Sequence, residues 1–411
     1  MRRHPIAPRP GWRETVVSQG LVFPVTPTTG LHGEEGEVAY WNESAWYDFT
    51  MAEVERLEAA TEELYGMCLE AAREMLRRYS DADLALPSGA LALARESLDR
   101  RDPSLYARFD LAYDGTAPAK MLEINGDTPT GLVETAVAQW RWLEDVFPRY
   151  DQWNSVHDRL VRWWGEAAEA GRYPQGVHFL HSTADDSGEE EMTVTYLRDT
   201  AASAGLATYG HPIEKLGWDD DPRGQRFVDD YDLTVHAAFK LYPWEDMLGE
   251  EFGAHLLGGH EHRPTRWIEP PWKLLLSTKA ILPVLWELFP GHPNLLPAYL
   301  GEPRDLTEWV AKPLWGREGD NVHVHADDLE QVNDGSYGDQ PLVYQQYTRL
   351  PDFDGNRVVL GSWVVGGRSA GCLVRESDGP VTDYYSRVVP HVIGDARMPD
   401  HAQVQAWLDE D

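Results

Sequence analysis

Three oxygen-bearing side chains that lie close together in the sequence have the residue types that bind a metal ion: Asp110, Glu123 and Asn125. Residues 106–113 alternate apolar and polar side chains, and residues 120–125 suit a second strand. Asp114-Gly115 between these segments is a strong turn signal. The pattern therefore predicts a β-hairpin that carries all three side chains.

The register of this hairpin decides what the side chains can do. One natural pairing about the turn sets Asp110 opposite Glu123 and Arg108 opposite Asn125, and side chains so placed stand ~5 Å apart. Two facing carboxylates repel each other unless a positive charge lies between them. Two carboxylates and an amide oxygen suit Mg²⁺, usually together with phosphate oxygens. The hairpin therefore predicts a metal–nucleotide site, and the alternative is an ordinary solvent-exposed face.

The residues after Asn125 predict a helix start beside this site. Asp127 or Thr128 can cap the helix, and Pro129 suits its first position. Apolar residues then recur at helical spacing, at Leu132, Ala136, Trp140 and Leu143. A helix start offers free backbone N–H groups to an anion, so a substrate carboxylate is the expected occupant.

A second candidate site for phosphate lies in the last third of the chain. Lys312 lies on a predicted strand that runs into a glycine-bearing loop, residues 316–321, and Lys279 opens a helix upstream. Glycines let backbone amides approach phosphates, and lysines supply point charges. The segment is not a Walker A motif, because the Gly-Lys-Ser/Thr ending is missing. Taken alone, this segment would be interpreted as a surface turn, and its value as evidence comes from the other segments that accompany it.

Two further segments bear on nucleotide chemistry. The strand of Tyr344, Gln345 and Gln346 carries polar groups that can read an adenine edge, and Arg375 ends a hairpin from which it can reach a transferring phosphate.

One motif suggests different chemistry. Residues 367–371 match the G-x-S-x-G pattern of serine hydrolases, in which a strand, a sharp turn and a helix present the nucleophile. Ser369 instead follows the Gly366-Gly367 turn of a predicted strand-to-strand hairpin. The sequence therefore disfavours the hydrolase hypothesis.

Composition excludes several classes of partner. The chain has 411 residues, 69 acidic against 36 basic side chains, and a net charge of −33, so it repels nucleic acid and anionic membranes. The sequence contains no run of 18 or more apolar residues, so no membrane span is expected. The two cysteines, Cys68 and Cys372, have no metal or redox spacing. We expect a cytoplasmic protein of two or three domains, whose basic residues 1–10 form a free arm.

Periodicity predicts the main elements. Helices are expected over residues 46–79, 153–170, 189–204 and 279–289, and strands over 176–181, 232–239, 309–314, 342–347, 357–365 and 368–375. The strand–helix order in the middle of the chain suggests an open α/β layer. A boundary is expected at residues 264–271.

Several motifs, taken in order, resemble the glutathionylspermidine synthase family: residues 123–130, 239–245, 279–290, 312–321 and 344–346. The resemblance runs from about residue 10 to 395. It implies a circularly permuted ATP-grasp fold of the α/β (α+β) class with a pre-ATP-grasp-like α/β domain. Residues 1–172 are then an N-terminal helical region with the metal-binding hairpin, 173–272 the pre-ATP-grasp-like substrate domain, and 273–411 the nucleotide-binding lobe with the C-terminal strands.

The activity implied by the resemblance is that of an ATP- and Mg²⁺-dependent carboxylate–amine ligase. A peptide-like acid is activated as an acyl phosphate, and an amine then forms the amide; thiol peptides and polyamines are the family's substrates. No nucleic acid or membrane partner is expected. The long family form carries an N-terminal amidase domain that this sequence lacks, so hydrolysis of the amide is not expected. The alternative is an ATP-binding module without turnover.

The resemblance also implies a role for each candidate residue. Asp110, Glu123 and Asn125 bind metal, Arg108 stabilises the acyl phosphate, and Arg375 matches an arginine at the end of the family's hairpin. The expected ATP-binding residues are Lys279, Lys312, Gly316, Arg317, Gly319, Asn321, Tyr344, Gln345 and Gln346. Thr128 and Thr130 match positions associated with the thiol peptide, and Glu189 and Glu190 match an acidic pair that receives the amine. Acidic residues also favour any helix start, and the sequence identifies neither the acid, the amine nor the oligomeric state.

Overall fold

The structure is a computed structural model that describes residues 1–28, 36–184, 186–221, 224–257 and 265–394. Within these residues the helices are α1 (Trp12–Ser18), α2 (Met51–Arg78), α3 (Ala90–Asp99), α4 (Gln139–Val146), α5 (Val156–Glu169), α6 (Glu189–Ser203), α7 (Trp244–Gly249), α8 (Gly253–Leu257), α9 (Leu274–Ser277) and α10 (Ile281–Leu288). A π-helical turn, Glu134–Ala138, precedes α4 directly. Among the described helices, none combines the length and apolar character needed to cross a bilayer.

The strands divide by position along the chain. The first half contains β1 (Arg2–Pro5), β2 (Val25–Pro27), β3 (Glu37–Ala39), β4 (Ala45–Phe49), β5 (Tyr106–Ala112), β6 (Lys120–Asn125), β7 (Val177–His181) and β8 (Thr208–Pro212). The second half contains β9 (Gly217–Asp219), β10 (Arg226–Val228), β11 (Ala237–Lys240), β12 (Arg266–Ile268), β13 (Ala298–Leu300), β14 (Trp309–Pro313), β15 (His323–Ala326), β16 (Leu329–Val332), β17 (Leu342–Gln346), β18 (Asp352–Phe353), β19 (Asn356–Val365), β20 (Arg368–Ser377), β21 (Arg387–Val389) and β22 (His391–Ile393).

The predicted hairpin belongs to a six-stranded antiparallel sheet in the order β21-β20-β19-β5-β6, with β18 also paired to β19. Asp110 faces Glu123 and Arg108 faces Asn125, which confirms the predicted register. A bulge follows Asp110, so that Leu111 pairs with Met121. Bulges re-aim side chains, and this one lies directly beside the carboxylate pair.

Helix α2 packs on this sheet. Its N-cap Thr50 accepts a hydrogen bond from the backbone of Glu53, whose side chain accepts one from the Thr50 backbone in return. The apolar stripe that contains Cys68 is buried, as its spacing predicted. The predicted start at residue 46 is wrong, because Ala45–Phe49 is a fully buried strand that pairs with β1.

The N-terminal residues are not a free arm. Residues 2–5 form β1, and Arg3 Nε donates to Glu376 Oε1 at 2.6 Å. The α-amino group of Met1 forms an ion pair with Glu53. The partners of this segment lie 40 to 373 residues away in the sequence, so no local pattern could have revealed the strand.

A five-stranded antiparallel sheet, β13-β17-β14-β15-β16, carries the predicted phosphate lysine and polar strand. Predicted helix 279–289 and strands 309–314, 342–347, 357–365 and 368–375 are confirmed within a few residues. The glycines of the last hairpin have φ of 58° and 80°, as a tight turn requires.

The open α/β layer predicted in the middle of the chain is confirmed as a parallel sheet, β12-β11-β7-β8. Helices α5 and α6, predicted from periodicity, contribute to one apolar cluster on this sheet. Residues of β10 and the β10–β11 connection contribute to another. Within the boundary expected at 264–271, Arg266–Ile268 forms an edge strand of this sheet. The boundary itself stays a prediction, and residue 264 lies outside the described residues.

Candidate active site

A cleft of about 400 Å³ gathers most of the predicted site residues. Its walls come from the six-stranded and five-stranded sheets, the start of α6 and the glycine loop after β14. The predicted residues that line it are Arg108, Asp110, Glu123, Asn125, Thr128, Thr130, Glu189, Glu190, Lys279, Lys312, Gly316, Arg317, Gly319, Gln345, Gln346 and Arg375. Segments far apart in the sequence therefore converge on one cavity.

Asp110 is buried and held between two arginines. Arg108 donates from Nε to Oδ1 at 2.9 Å and from Nη2 to Oδ2 at 3.3 Å. Arg375 donates to Oδ2 at 2.5 Å, and Asn125 Nδ2 lies 3.4 Å from the same oxygen. Burial by itself raises the pKa of this carboxyl, but the two guanidinium charges outweigh burial and lower the pKa of Asp110 to about 2. Asp110 is therefore ionised, and its charge is compensated.

A glycine on the neighbouring strand makes room for this arrangement. Gly361 lies opposite Asp110 on β19. A Cβ at this position would stand 2.9 Å from Arg108 Cδ and 3.2 Å from Leu373 Cβ. Glycine in a strand interior often marks such a close approach. Position 361 is thus part of the support for Arg108, and the sequence offered no signal for it.

Glu123 reaches the cleft from β6, with 28% of its side chain exposed. Lys279 Nζ lies 3.4 Å from Glu123 Oε2 and donates to the Gly316 carbonyl at 2.5 Å. Lys279 therefore connects the carboxylate hairpin with the start of the glycine loop.

Lys312 lines the cleft and joins the six-stranded and five-stranded sheets. Its Nζ donates to the Leu122 carbonyl at 3.0 Å and to Gln345 Oε1 at 2.9 Å. Gln345 Nε2 donates in turn to the Met121 carbonyl at 3.1 Å. Burial lowers the pKa of Lys312 to about 8, against the opposing charge of Glu123. This lysine can therefore change its charge near neutral pH.

Arg317 reaches from the glycine loop to the opposite wall. It forms an ion pair with Glu245 on α7, and its Nη1 donates to Thr128 Oγ1 at 3.4 Å. Glu245 belongs to a segment that the resemblance contains, but the sequence assigned it no role. Its pKa is raised by burial, although the charge of Arg317 acts in the opposite direction. Arg317 and Glu245 thus hold the loop across the cleft.

The helix start predicted after the hairpin is wrong in position. Asp127 does not cap the helix that follows it. Its two carboxylate oxygens each accept from Lys240 Nζ at 2.8 Å, and Oδ2 also accepts at 3.0 Å from the backbone of Trp244, the first residue of α7. Helical hydrogen bonding begins only after Gly131, which has a φ of +82°. The Asp127 carboxylate and the Lys240 ammonium group are both fully buried. Segment 127–130 is therefore an extended loop that this ion pair ties to the parallel sheet.

The residues predicted to bind the substrates line the same cleft as the β5–β6 hairpin. Thr128 and Thr130 lie on the extended loop, and Arg108 donates to the Thr130 carbonyl. Glu189 and Glu190 begin α6, and Glu190 Oε2 accepts from the Ser182 backbone at 2.8 Å.

Two predicted ATP-binding residues do not line the cleft. Asn321 has a φ of +52°, and its Oδ1 accepts from the Tyr337 backbone at 2.7 Å, so it shapes the loop instead. Tyr344 packs its ring against Trp309, with centroids 5.1 Å apart. Residues 380–383 do line the cleft, although no motif predicted this.

The serine of the hydrolase-like motif lies on β20 and is fully buried. Its backbone N–H donates to Glu62 Oε1 at 3.2 Å. The motif joins two antiparallel strands, whereas a nucleophile elbow requires a following helix. The geometry therefore excludes the elbow, as the sequence predicted.

Comparison with known proteins gives the following matches. The family described as "Glutathionylspermidine synthase preATP-grasp" matches residues 3–394. A Haemophilus influenzae protein named "Putative acid--amine ligase" is 39% identical over 366 residues, covering 86% of this chain and 90% of that protein. The Escherichia coli bifunctional glutathionylspermidine synthetase/amidase is 28% identical, and the match covers 87% of this chain but 61% of that protein.

A solved structure gives an independent match of fold. The glutathione synthetase-like effector GSS30 of Globodera pallida, in its apo form, superposes with a TM-score of 0.56 at 12% identity. The superposition covers 93% of this chain and 95% of the effector. Identity at this level bears on architecture alone.

Proposed function

The chain belongs to the glutathionylspermidine synthase family, and from that premise we propose that it is an ATP-dependent ligase joining a peptide-like carboxylate to an amine. The acid is a thiol peptide of the glutathione class and the amine a polyamine, as the name of the Escherichia coli relative indicates for that protein. An amide is the product, and ADP and phosphate are released.

The observation that carries this proposal is that four cationic side chains converge around the two carboxylates of the β5–β6 hairpin. Four cationic side chains meet two carboxylates there: Arg108, Arg375, Lys279 and Lys312 with Asp110 and Glu123. The chain as a whole carries a net charge of −33. Cations aimed at one cavity of such a protein suit a triphosphate and the charge that develops during phosphoryl transfer.

The residues present fit Mg²⁺ as the accompanying metal. Glu123 and Asp110 supply carboxylate oxygens, and Asn125 supplies an amide on the same face; these are hard ligands of the kind Mg²⁺ requires. Mg²⁺ bound there would neutralise charge on the phosphates. Glu123 is open to the cleft, whereas Asp110 Oδ2 is bonded to Arg375. We therefore expect Arg375 to leave Asp110 for the phosphates when the metal and nucleotide bind.

The reaction then proceeds in two steps. A substrate carboxylate oxygen attacks the γ-phosphorus of ATP, the bond to the ADP oxygen breaks, and an acyl phosphate forms. Arg108 and Arg375 stabilise the charge on the transferring group, while Lys279 and Lys312 hold the remaining phosphates. The amine nitrogen next attacks the acyl carbon, phosphate departs, and the proton lost by the nitrogen leaves on the phosphate.

We propose that the acceptor amine binds at the α6 end of the cleft. Glu189 and Glu190 line this end, and carboxylates there attract a cationic polyamine. Thr128 and Thr130 line the same cleft. A cytoplasmic location and the division of the chain at residues 172 and 272 remain predictions.

The test is ADP release from ATP and Mg²⁺ with a panel of thiol peptides and polyamines, with the amide identified by mass spectrometry. We expect one acid–amine pair to release ADP in proportion to amide. ATP binding without ADP release for every pair would instead support the alternative of a binding module without turnover.

A matched pair of variants links the activity to the cleft. Glu123→Gln keeps the shape but removes a carboxylate ligand, so we expect turnover to fall by at least about 100-fold with little change in the unfolding midpoint. Ser369→Ala alters a buried serine outside the cleft, and its turnover should equal that of the unaltered protein.

A further inference from the structure

A second group of potential metal ligands lies outside the cleft, on the parallel sheet. His178 is on β7 and His211 on β8; the register sets His178 beside Tyr209 and His211 beside Leu180, so both imidazoles project from one face. Asp229 follows β10 and covers this face. All three residues are buried, and none lines the ligase cleft.

The spacing of the three ligand atoms suits one ion. Asp229 Oδ2 lies 3.3 Å from His178 Nε2 and 3.7 Å from His211 Nε2. All three atoms fall within 4.8 Å of one another. In a tetrahedral zinc site with bonds of ~2.0–2.1 Å, ligand atoms stand roughly 3.3 Å apart. The widest of these separations, at most 4.8 Å, must contract toward this spacing when one ion binds among them.

The outer contacts orient two of the ligands. Asp229 Oδ1 accepts backbone hydrogen bonds from Tyr231 at 3.0 Å and Leu233 at 2.9 Å, which leaves Oδ2 directed at the imidazoles. His211 Nδ1 lies 3.1 Å from Asp230 Oδ1. A carboxylate on the second ring nitrogen is the usual support of a metal-binding histidine, because it fixes the proton there and frees the other nitrogen.

Protons alone leave one unfavourable contact in this cluster. His178 Nε2 can donate to Asp229 Oδ2 at 3.3 Å. A neutral His211 that carries its proton on Nδ1, toward Asp230, turns the lone pair of Nε2 toward the same Asp229 oxygen at 3.7 Å. A cation among the three atoms satisfies both Nε2 lone pairs and the carboxylate at once.

We propose that His178, His211 and Asp229 bind one divalent transition-metal ion, with zinc as the best match to two imidazoles and one carboxylate. A fourth position is left for water. The ion joins β7, β8 and the turn after β10, so its role is to stabilise the parallel sheet. Tyr231 and Asp230 are exposed beside it, and the ion enters along that side.

The test uses the full chain without an affinity tag, stripped with EDTA and dialysed. Titration with ZnCl₂ by calorimetry should show one ion bound, and the melting temperature should rise. Co²⁺ in place of zinc should give the visible absorption of a four-coordinate ion, which requires no variant. Absence of both zinc binding and the cobalt spectrum in the folded protein would overturn the proposal and leave a hydrogen-bonded cluster.

Variants locate the site. His211→Asn and Asp229→Asn should each weaken zinc binding by at least about 10-fold, and retained ATP binding reports that each variant is folded. The matched control is His325→Asn, because His323 and His325 both contact exposed Glu330 and form the competing candidate on the surface. The assignment of zinc to the His178–His211–Asp229 cluster would be overturned if His325→Asn lost zinc binding while His211→Asn and Asp229→Asn retained it.

Discussion

Asp110 binds two guanidinium groups although the proposed reaction needs it to bind a metal. A carboxylate already compensated in this way attracts a divalent cation only weakly. If Asp110 binds a metal as proposed, Arg375 and the metal must compete for the same oxygen, Asp110 Oδ2. This competition makes a prediction at the level of a single side chain.

Replacing Arg375 with alanine should separate metal binding from catalysis. Arg375→Ala frees Asp110 Oδ2, so the affinity for Mn²⁺, a spectroscopic substitute for Mg²⁺, should rise in the absence of ATP. Turnover should fall by about 10²–10³-fold, because one charge partner of the transferring phosphoryl group is lost. Electron paramagnetic resonance measures the first quantity, and ADP release the second.

Arg387→Ala is the matched control, since this arginine lies on the neighbouring strand β21 and pairs with Asp378. Neither quantity should change in it. Unchanged Mn²⁺ affinity in Arg375→Ala would mean that Asp110 is not a metal ligand.

Lys312 should make ATP binding consume a proton. The pKa of Lys312 is lowered by burial to about 8 in the free protein, so at pH 9 most molecules carry a neutral amine. The negative charge of ATP raises this pKa, and a proton is taken up on binding. Below about pH 7 the lysine is charged in both states, and uptake disappears.

Calorimetry at pH 9 in two buffers of different ionisation enthalpy measures this uptake directly. The apparent binding enthalpies should differ, and the difference should vanish in Lys312→Met. Equal enthalpies in the unaltered protein at pH 9 would contradict the assignment of Lys312 to the phosphates.

At the level of elements, a buried ion pair ties the loop after β6 to the parallel sheet. Asp127→Ala leaves Lys240 buried without its partner, so we expect the free energy of unfolding to fall by roughly 3–5 kcal/mol. Urea unfolding followed by circular dichroism measures this loss.

The double variant Asp127→Leu with Lys240→Met removes both charges and should recover most of that stability, because an unpaired buried charge no longer remains. A loss below about 1 kcal/mol in Asp127→Ala would show that water or another group reaches Lys240.

The elements that the sequence revealed are those with local signals. Alternation within residues 106–125 was enough to predict that Asp110 faces Glu123, and the stripe through Cys68 predicted the buried face of α2. Elements defined by distant partners were missed. Strand β1 depends on β4, and the role of Asp127 depends on Lys240, 113 residues further on.

The site was predictable to the extent that residue type reports function. Charged residues and the hairpin converge on the cleft, but Tyr344 and Asn321 do not line it. The motifs identified segments that lie near the cleft, whereas the directions of the Tyr344 and Asn321 side chains depended on the sheet and the loop that contain them. Gly361 gave no signal because its importance lies in the space left for Arg108.

At the scale of the whole molecule, the fold prediction is confirmed by family membership and by the superposition on the Globodera pallida effector. The excess of acidic side chains is a separate property of the molecule. The net charge is −33, so the acidic side chains repel one another in the compact folded state. Added salt screens this repulsion.

We therefore expect the melting temperature to rise by a few degrees when NaCl is raised from 20 mM to 0.5 M, which calorimetry can measure. Sucrose at equal osmolality separates screening from a general solvent effect. A melting temperature that falls with NaCl would mean that the internal ion pairs outweigh the net repulsion.

The pairing of β5 with β19 has a consequence for folding during synthesis on the ribosome. Strand β5 emerges with one edge unsatisfied, and its neighbour is translated roughly 10–50 s later at 5–20 residues per second. Until then the carboxylate hairpin is an open template for aggregation. A nascent chain of this length thus depends on chaperones, or on the early packing of α2, to shield that edge.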